Sequence, residues 1–98
     1  MAAREALEIA TLGGAEALGR DDIGRIAPGY RADLAIWDVS GIDSAGSWDP
    51  ATLLLAGPPR VRDLFVEGQR VVAEGRLARV EEGKLCEDVK GRVARLMA

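Results

Sequence analysis

The 98 residues of this chain fit one small domain, and 48% apolar with 30% charged residues is typical of a globular protein. The net charge of −3 comes from 13 basic and 16 acidic residues without any basic block, which excludes an electrostatic footprint for nucleic acid. No apolar run is long enough to span a bilayer and the N-terminus lacks the apolar core of a signal peptide, so we expect no membrane partner.

The cysteine and histidine counts restrict the chemistry further. The single cysteine, Cys86, excludes an internal disulfide framework and suits a reducing cytoplasm. Its helical surroundings predict a half-buried packing role rather than a reactive one. The chain has no histidine, the common metal ligand and general base, so ordinary zinc sites and histidine-based triads are excluded. We expect no cofactor or metal bound by this chain alone.

Residues 2–18 have the apolar spacing of a helix that ends at Gly19. Gly13 and Gly14 lower its helix propensity, which favours a close approach of its backbone to a neighbour. Two apolar residues fall among glutamates on the opposite side, which indicates contact with more than one neighbour. The residues predicted to share the main face are Ala3, Leu7, Ala10, Gly14, Ala17 and Leu18.

Residues 20–39 contain a polar turn followed by a strand. Ile23 and Ile26 flank Gly24 in a predicted short strand or extended segment, and Pro28-Gly29 is a turn signal. The apolar run at residues 34–37 lies between two aspartates and is typical of a strand buried on both faces.

Residues 40–60 have the composition of a loop with one short helix. Asp49 is the predicted N-cap, Pro50 the first helical residue and Gly57 the end. Residues 61–77 predict a hairpin that turns at residues 67–69, with a further turn at Gly75. An amphipathic terminal helix follows, whose apolar side comprises Leu85, Cys86, Val89, Val93, Leu96 and Met97.

Three segments, taken in order, resemble the amidohydrolase superfamily. Residues 10–19 (ATLGGAEALG) are similar to the last helix of its barrel, and residues 23–38 (IGRIAPGYRADLAIWD) resemble its G-x-I-x-P-G-x-x-A-D-L segment. Residues 61–77 (VRDLFVEGQRVVAEGRL) are similar to the hairpin that closes these enzymes. The lead-in at residues 57–60 (GPPR) resembles the branch containing cytosine, guanine and 8-oxoguanine deaminases and chlorohydrolases.

The resemblance implies an α+β fold in which the last barrel helix precedes part of a small antiparallel β-sandwich with a hairpin and a C-terminal helix packed alongside. Residues 1–19 would be the terminal helix of a (β/α)8 barrel, and residues 20–98 the β-sandwich domain. The family binds zinc or iron through a His-x-His pair, further histidines and a late aspartate, and its metal activates a water that attacks the carbon bearing the leaving amine. None of those ligand motifs occurs here, so the resemblance assigns no catalytic, cofactor-binding or metal-binding residue to this chain.

A rival hypothesis is a stand-alone carboxylate enzyme or cation site built from Asp33, Asp38 and Asp63. We instead expect Asp33 to bond backbone amides beside the Pro28-Gly29 turn, and the other two to face solvent. Asp21-Asp22 lacks the ligand alternation of a calcium loop. Two further pairs have structural interpretations: packing for Trp37 and Trp48, and a solvated strand face for Arg60 and Arg62.

The sequence therefore predicts the non-catalytic C-terminal part of a cytoplasmic, metal-dependent hydrolase that acts on C–N bonds other than peptide bonds. The alternative is an independent structural or binding module that associates with itself. In either case the missing barrel and partner strands should expose apolar side chains, which favours a homo-oligomer. The side chains expected to be exposed are Leu34, Ile36, Leu64, Val66 and Val71.

Overall fold

The computed structural model describes residues 1–56 and 59–98, except for the side chain of Asp43. Its elements are α1 (Ala3–Glu8), a π-helical segment (Ile9–Gly13) and α2 (Gly14–Ala17), then β1 (Leu34–Asp38), a 3₁₀ turn (Ile42–Ser44) and α3 (Pro50–Ala56). The strands β2 (Arg60–Val66), β3 (Gln69–Ala73) and β4 (Arg76–Leu77) precede α4 (Glu82–Met97). The predicted helix end at Gly57 and the first half of the lead-in at residues 57–60 lie outside the described residues.

The first helix has the predicted extent but a different buried face. Its three segments follow one another without a break, and Gly19 ends it with a φ of +68°. Only Ala15 is buried, whereas Ala10, Ala17 and Leu18 of the predicted face are exposed. A Cβ built on Gly14 would meet nothing within 4 Å. The close neighbour expected at this glycine is therefore not among the described residues.

The segment after the helix is a chain of bends, so the strand expected around Ile23 and Ile26 is wrong. Gly24 explains the difference, because its φ of +88° breaks an extended backbone. A Cβ at Gly24 would lie 2.8 Å from the carbonyl oxygen of Thr11 and 3.1 Å from Cβ of Ala15. The bends thus pack directly on the helix through a residue without a side chain.

The four strands form one antiparallel sheet in the order β1-β2-β3-β4. The hairpin between β2 and β3 is confirmed, and its two-residue loop has φ values of +49° at Glu67 and +79° at Gly68. Glu74 and Gly75 repeat this pattern between β3 and β4, with φ values of +51° and +79°. Positive φ at both loop positions matches the right-handed twist of the flanking strands.

The strand β1 is an edge strand, which makes the prediction of burial on both faces wrong. Among the described strands it pairs with β2 alone, and every residue from Ala35 to Asp38 is exposed. Ile36 and Val66 are exposed, as predicted for a sheet without partner strands. Leu34, Leu64 and Val71 are half-buried.

The helix α3 begins as predicted. Oδ1 of Asp49 accepts a hydrogen bond from the backbone N–H of Ala51 at 3.2 Å, and Oδ2 accepts one from the hydroxyl of Thr52 at 3.1 Å. Ala51 is buried, and Arg4 of α1 forms an ion pair with Asp49 at 3.1 Å. This cap therefore also ties α3 to the first helix.

The terminal helix is amphipathic as predicted but does not pack alongside the sheet. It contains no buried residue, and its apolar side chains, Cys86 included, are exposed. Its N-cap is Glu81, whose carboxylate accepts hydrogen bonds from the backbone N–H groups of Gly83 and Lys84. The half-buried position expected for Cys86 is wrong, because none of the other elements in residues 1–56 and 59–81 covers this helix face.

The chain exposes far more surface than a folded domain of its size. Its accessible surface is 7932 Å², against about 5,400 Å² for a folded monomer of this mass. The radius of gyration is 17.0 Å, against about 13 Å for a compact domain of about 100 residues. The surface exposed in excess of that of a folded monomer is as large as the surface that permanent protein–protein interfaces bury.

Candidate functional site

The most buried charged side chain among the described residues is Asp63, in the middle of β2 and opposite Ile36 of β1. Its carboxylate accepts hydrogen bonds from Nε of Arg62 and Nε of Arg70, both at 2.8 Å, and from a terminal nitrogen of Arg70. The backbone N–H of Glu74 lies 3.4 Å from the same carboxylate. The prediction that Asp63 faces solvent is wrong, because its cationic partners lie on both hairpin strands.

These partners determine what Asp63 can do chemically. The hydrogen bonds from Arg62 and then Arg70 lower the pKa of its carboxyl to about 2. A carboxyl with this pKa is ionised near neutral pH, so it cannot donate a proton to a substrate and is a poor general base. Asp63 therefore stabilises the hairpin as a paired ion and is unsuited to acid–base catalysis.

A second ionic cluster joins the end of the first helix to the loop of the hairpin. Asp22 accepts hydrogen bonds from Nε and a terminal nitrogen of Arg20 at 3.0 and 2.9 Å, and from Nε of Arg31 at 2.7 Å. The guanidinium of Arg31 also pairs with Glu67 in the hairpin loop. Hydrogen bonds from Arg20 and Arg31 lower the pKa of Asp22 to about 2. With two arginines on its oxygens, Asp22 is unsuited to bind calcium.

The three carboxylates of the rival enzyme hypothesis serve three separate purposes. Asp33 accepts a hydrogen bond at 2.8 Å from the backbone N–H of Glu67, so its partner is the hairpin loop and not the turn at Pro28-Gly29. Asp38 accepts hydrogen bonds from the backbone and side chain of Ser40, which lower its pKa. Within residues 1–56 and 59–98, no group of three histidine, cysteine, aspartate or glutamate side chains is placed to hold a metal.

A cavity of about 460 Å³ opens beside α3. The residues that line it include Asp38, Gly41, Ile42, Ser44, Gly46, Ser47, Thr52, Leu53 and Arg60. Its polar lining offers hydrogen bonds, but neither a cysteine nor a histidine is present to act as a nucleophile or base. The side chains available in this cavity are therefore limited to the carboxylate of Asp38, hydroxyl groups such as that of Thr52, and the guanidinium of Arg60.

The two remaining predicted pairs differ in outcome, because the tryptophans are more exposed than expected and the arginines are exposed as expected. Trp48 is 91% and Trp37 is 40% exposed, so the packing role assigned to both is not fulfilled within the described part of the chain. Arg60 and Arg62 are both exposed on the strand, as predicted, and Arg62 in addition pairs with Asp63. The burial of Asp63 is not evident from residues 61–66 (VRDLFV), because their polarity does not alternate and so does not show which side chains face inward. The pairing of Asp63 with Arg70 across the hairpin was the available signal.

Comparisons with known proteins give a consistent result. The model of the amidohydrolase family matches residues 1–71. The 8-oxoguanine deaminase of Pseudomonas aeruginosa is 44% identical over 71 residues, which are 71% of this chain and 16% of that protein.

Solved structures agree with this match. The zinc-bound adenosine deaminase of Xanthomonas campestris superposes with a TM-score of 0.86 at 28% identity, over 98% of this chain and 23% of that one. The atrazine chlorohydrolase of Arthrobacter aurescens, complexed with zinc, superposes with a TM-score of 0.80 at 34% identity, over 92% and 20%. The chain thus spans about a fifth of the length of the relatives it matches. Among the helices that the structure describes, none is long and apolar enough to cross a membrane.

Proposed function

This chain belongs to the amidohydrolase family, and we propose that it is a non-catalytic part of a metal-dependent hydrolase that deaminates an N-heterocycle. The observation that carries the proposal is the combination of the family match with the complete lack of histidine. A member of this family without histidine needs its metal to be held by another part of the protein.

The donor set of this chain does not fit zinc, the metal present in the two matched structures. Zinc sites use cysteine, histidine and carboxylate ligands in groups of three or four. This chain has one cysteine, and its most buried carboxylate is already neutralised by two arginines. We therefore assign it no metal ligand and no step of the reaction, and we place the zinc or iron of the parent enzyme on the missing barrel.

The role left for this chain is to hold the barrel and the sheet together. The helical residues 3–17 would be the last barrel helix, and the sheet would receive further strands along β1 and complete a β-sandwich. The open side at Gly14 and the partly exposed side chains of Ile36 and Trp37 support this assignment, because they leave apolar surface accessible among the described residues. The cytoplasm remains the proposed location.

The narrower substrate class rests on resemblance to deaminases. The relatives named above act, by their names, on 8-oxoguanine, adenosine and atrazine, all N-heterocyclic compounds. The alternative of an independent binding module predicts a compact species. The radius of gyration of 17.0 Å and the surface of 7932 Å² favour the incomplete part over the independent module.

A fragment-complementation experiment tests the proposal. The adenosine deaminase of Xanthomonas campestris would be shortened by the segment that this chain matches, and the remainder mixed with this chain and zinc. We expect neither piece alone to deaminate adenosine and the mixture to regain part of the activity. Turnover by this chain alone would contradict the non-catalytic role. No gain from mixing, with both pieces folded by circular dichroism, would contradict the proposal that it completes a barrel.

Sequencing of the source DNA upstream of the Met1 codon gives an independent test. We expect an open frame that continues through a His-x-His motif. A stop codon and ribosome-binding site directly upstream would favour the independent module instead.

A further inference from the structure

Residues 1–31, the first helix and the bends that follow it, form an N-terminal segment that is held together by its own contacts. A Cβ at Gly24 would lie 2.8 Å from the carbonyl oxygen of Thr11, so the bends pack directly on the helix. The backbone N–H of Arg31 donates to the carbonyl oxygen of Asp22 at 2.8 Å, and Nε of Arg31 donates to the Asp22 carboxylate at 2.7 Å. The last residue of the segment is therefore fastened back onto the bends.

The chain after residue 31 belongs to the sheet from its first residue. The backbone N–H of Gly68 donates to the carbonyl oxygen of Ala32 at 3.0 Å, and the backbone N–H of Glu67 donates to Oδ1 of Asp33 at 2.8 Å. Both donors lie in the hairpin loop between β2 and β3. The boundary between the N-terminal segment and the sheet portion, residues 32–98, is therefore the single peptide unit between Arg31 and Ala32.

The hydrogen bonds that cross this boundary between described residues are both ion pairs. Arg4 pairs with Asp49 at 3.1 Å, and Arg31 pairs with Glu67. The side chains of Arg4 and Asp49 are 76% and 25% exposed, and those of Arg31 and Glu67 are 46% and 62% exposed. Solvent therefore reaches both ion pairs.

Apolar burial across the same boundary is small. The helix α1 lies against α3, in which Ala51 is buried. The buried Ala15 packs within its own segment, because its Cβ lies 3.1 Å from the position of a Cβ on Gly24. Ile9 and Leu18 of the first helix are 58% and 71% exposed. Little apolar contact therefore supplements the two ion pairs.

We propose that these two ion pairs, Arg4 with Asp49 and Arg31 with Glu67, form an ionic latch that docks the N-terminal segment on the sheet portion. The latch opens as the ionic strength rises, and the segment then moves as one unit about the boundary. Salt screens exposed charges, since the Debye length falls from about 30 Å at 0.01 M to about 3 Å at 1 M. The backbone hydrogen bonds within each part and the packing at Gly24 are not screened in this way. Salt therefore weakens the attachment between the parts more than it weakens either part.

Two spin labels would measure the separation of the two parts. In a Cys86→Ser background, Glu16→Cys on the first helix and Arg76→Cys on β4 supply exposed attachment sites. Double electron–electron resonance of the 98-residue chain would be recorded at about 0.01 M and about 1 M NaCl. Each exposed pair contributes about 1.4-fold to about 5-fold to the docking equilibrium. We expect a second, broader distance at high salt, with the ratio of open to docked chains raised at least about twofold.

A latch variant tests whether these two ion pairs cause the response to salt. Arg4→Gln with Glu67→Gln removes both pairs and leaves the net charge at −3. It spares the cap at Asp49 and the hydrogen bonds of Arg31 to the bends. We expect this variant to show the broader distance already at low salt and to change little at high salt.

A matched control carries the same two kinds of substitution away from the latch. Arg25 and Glu87 are exposed and take part in no ion pair within residues 1–56 and 59–98. Arg25→Gln with Glu87→Gln therefore changes the composition in the same way as the latch variant. We expect the control to have the distances and the salt response of the wild type.

Three results would overturn the proposal. The first is a single wild-type distance that is the same at both salt concentrations. The second is a latch variant whose distances respond to salt as those of the wild type or of the control do. The third is a loss of the circular dichroism signal at 222 nm with salt, because the segment would then unfold rather than undock. We expect that signal to stay unchanged between the two salt concentrations.

Discussion

Gly24 offers a test of how the bends at residues 21–25 pack on the first helix. Its φ of +88° is nearly the same as the +87° of Gly29. A Cβ at Gly24 would lie 2.8 Å from the carbonyl oxygen of Thr11, 3.2 Å from its carbonyl carbon and 3.1 Å from Cβ of Ala15. A Cβ at Gly29 would meet nothing within 4 Å. The two glycines therefore differ in contact and not in backbone φ.

Alanine at either position must adopt a positive φ, which lowers the free energy of unfolding by about 1–2 kcal/mol. Alanine also makes the unfolded chain less flexible than glycine does, which offsets about 0.4–1 kcal/mol of that loss. Gly29→Ala should therefore lower the free energy of unfolding by about 1 kcal/mol. Gly24→Ala must also displace the backbone at Thr11, which adds about 1–3 kcal/mol, as for overpacking of a core. Such a loss is a large fraction of the ~5–15 kcal/mol of an ordinary domain.

Urea unfolding followed by circular dichroism at 222 nm would measure both variants. With a denaturant slope of about 1 kcal/mol per molar, Gly29→Ala should lower the midpoint by about 1 M and Gly24→Ala by about 2–4 M. Tryptophan fluorescence in a Trp48→Phe background, where Trp37 is the one remaining tryptophan, would report separately on the sheet. Equal urea midpoints for the two variants would refute the close packing of Gly24 on the first helix. They would mean that the bends can move away from the helix without loss of stability.

Three further predictions concern individual side chains. The pKa of Asp63 is lower in the folded chain than its unfolded value of 3.8, so its ion pairs stabilise the fold fully above pH 3.8 and lose that effect as the pH falls towards 2. The variant Asp63→Asn should therefore be less stable than the wild type at pH 7. Urea unfolding at a series of pH values should show that the stability of this variant changes less than that of the wild type between pH 3.8 and pH 2. Asp49→Ala removes the cap of α3 and should lower the free energy of unfolding by about 1 kcal/mol in the same assay, whereas a loss below a few tenths would argue against the cap. Glu81→Ala should reduce the helical signal at 222 nm because the exposed α4 depends on its N-cap, while Glu87→Ala, in the interior of the helix, should leave it unchanged.

Local signals in the sequence were enough to predict most elements. The cap at Asp49 with Pro50, the stop at Gly19 and the hairpin loop at Gly68 each depend on a few adjacent residues. Backbone chemistry of this kind is the same whether or not neighbouring parts of a protein are present. The family resemblance depended on the same segments, and the match over residues 1–71 confirms it.

Burial could not be predicted as well, because it depends on what lies against each face. The apolar run at Leu34 to Trp37 has the composition of a central strand, yet it forms the exposed edge of this sheet. Cys86 lies on an apolar helix face that is equally uncovered. The apolar composition of a segment indicates which contacts it is suited to make. The described residues make only some of these contacts, so composition overestimates burial.

The few buried residues explain why the sheet keeps its register without a large apolar core. Of the three residues that are buried within the described part of the chain, Ala15 and Ala51 are small, and Asp63 is charged. A charge there tolerates little displacement, because an unpaired buried carboxylate is strongly destabilising. Arg70 comes from β3 and Arg62 from β2 itself, so a slip of β3 would separate Asp63 from one of its two cations. Ion pairing within the chain therefore helps to fix the hairpin register, whereas the apolar side chains of β1 and α4 remain exposed in the described part of the chain.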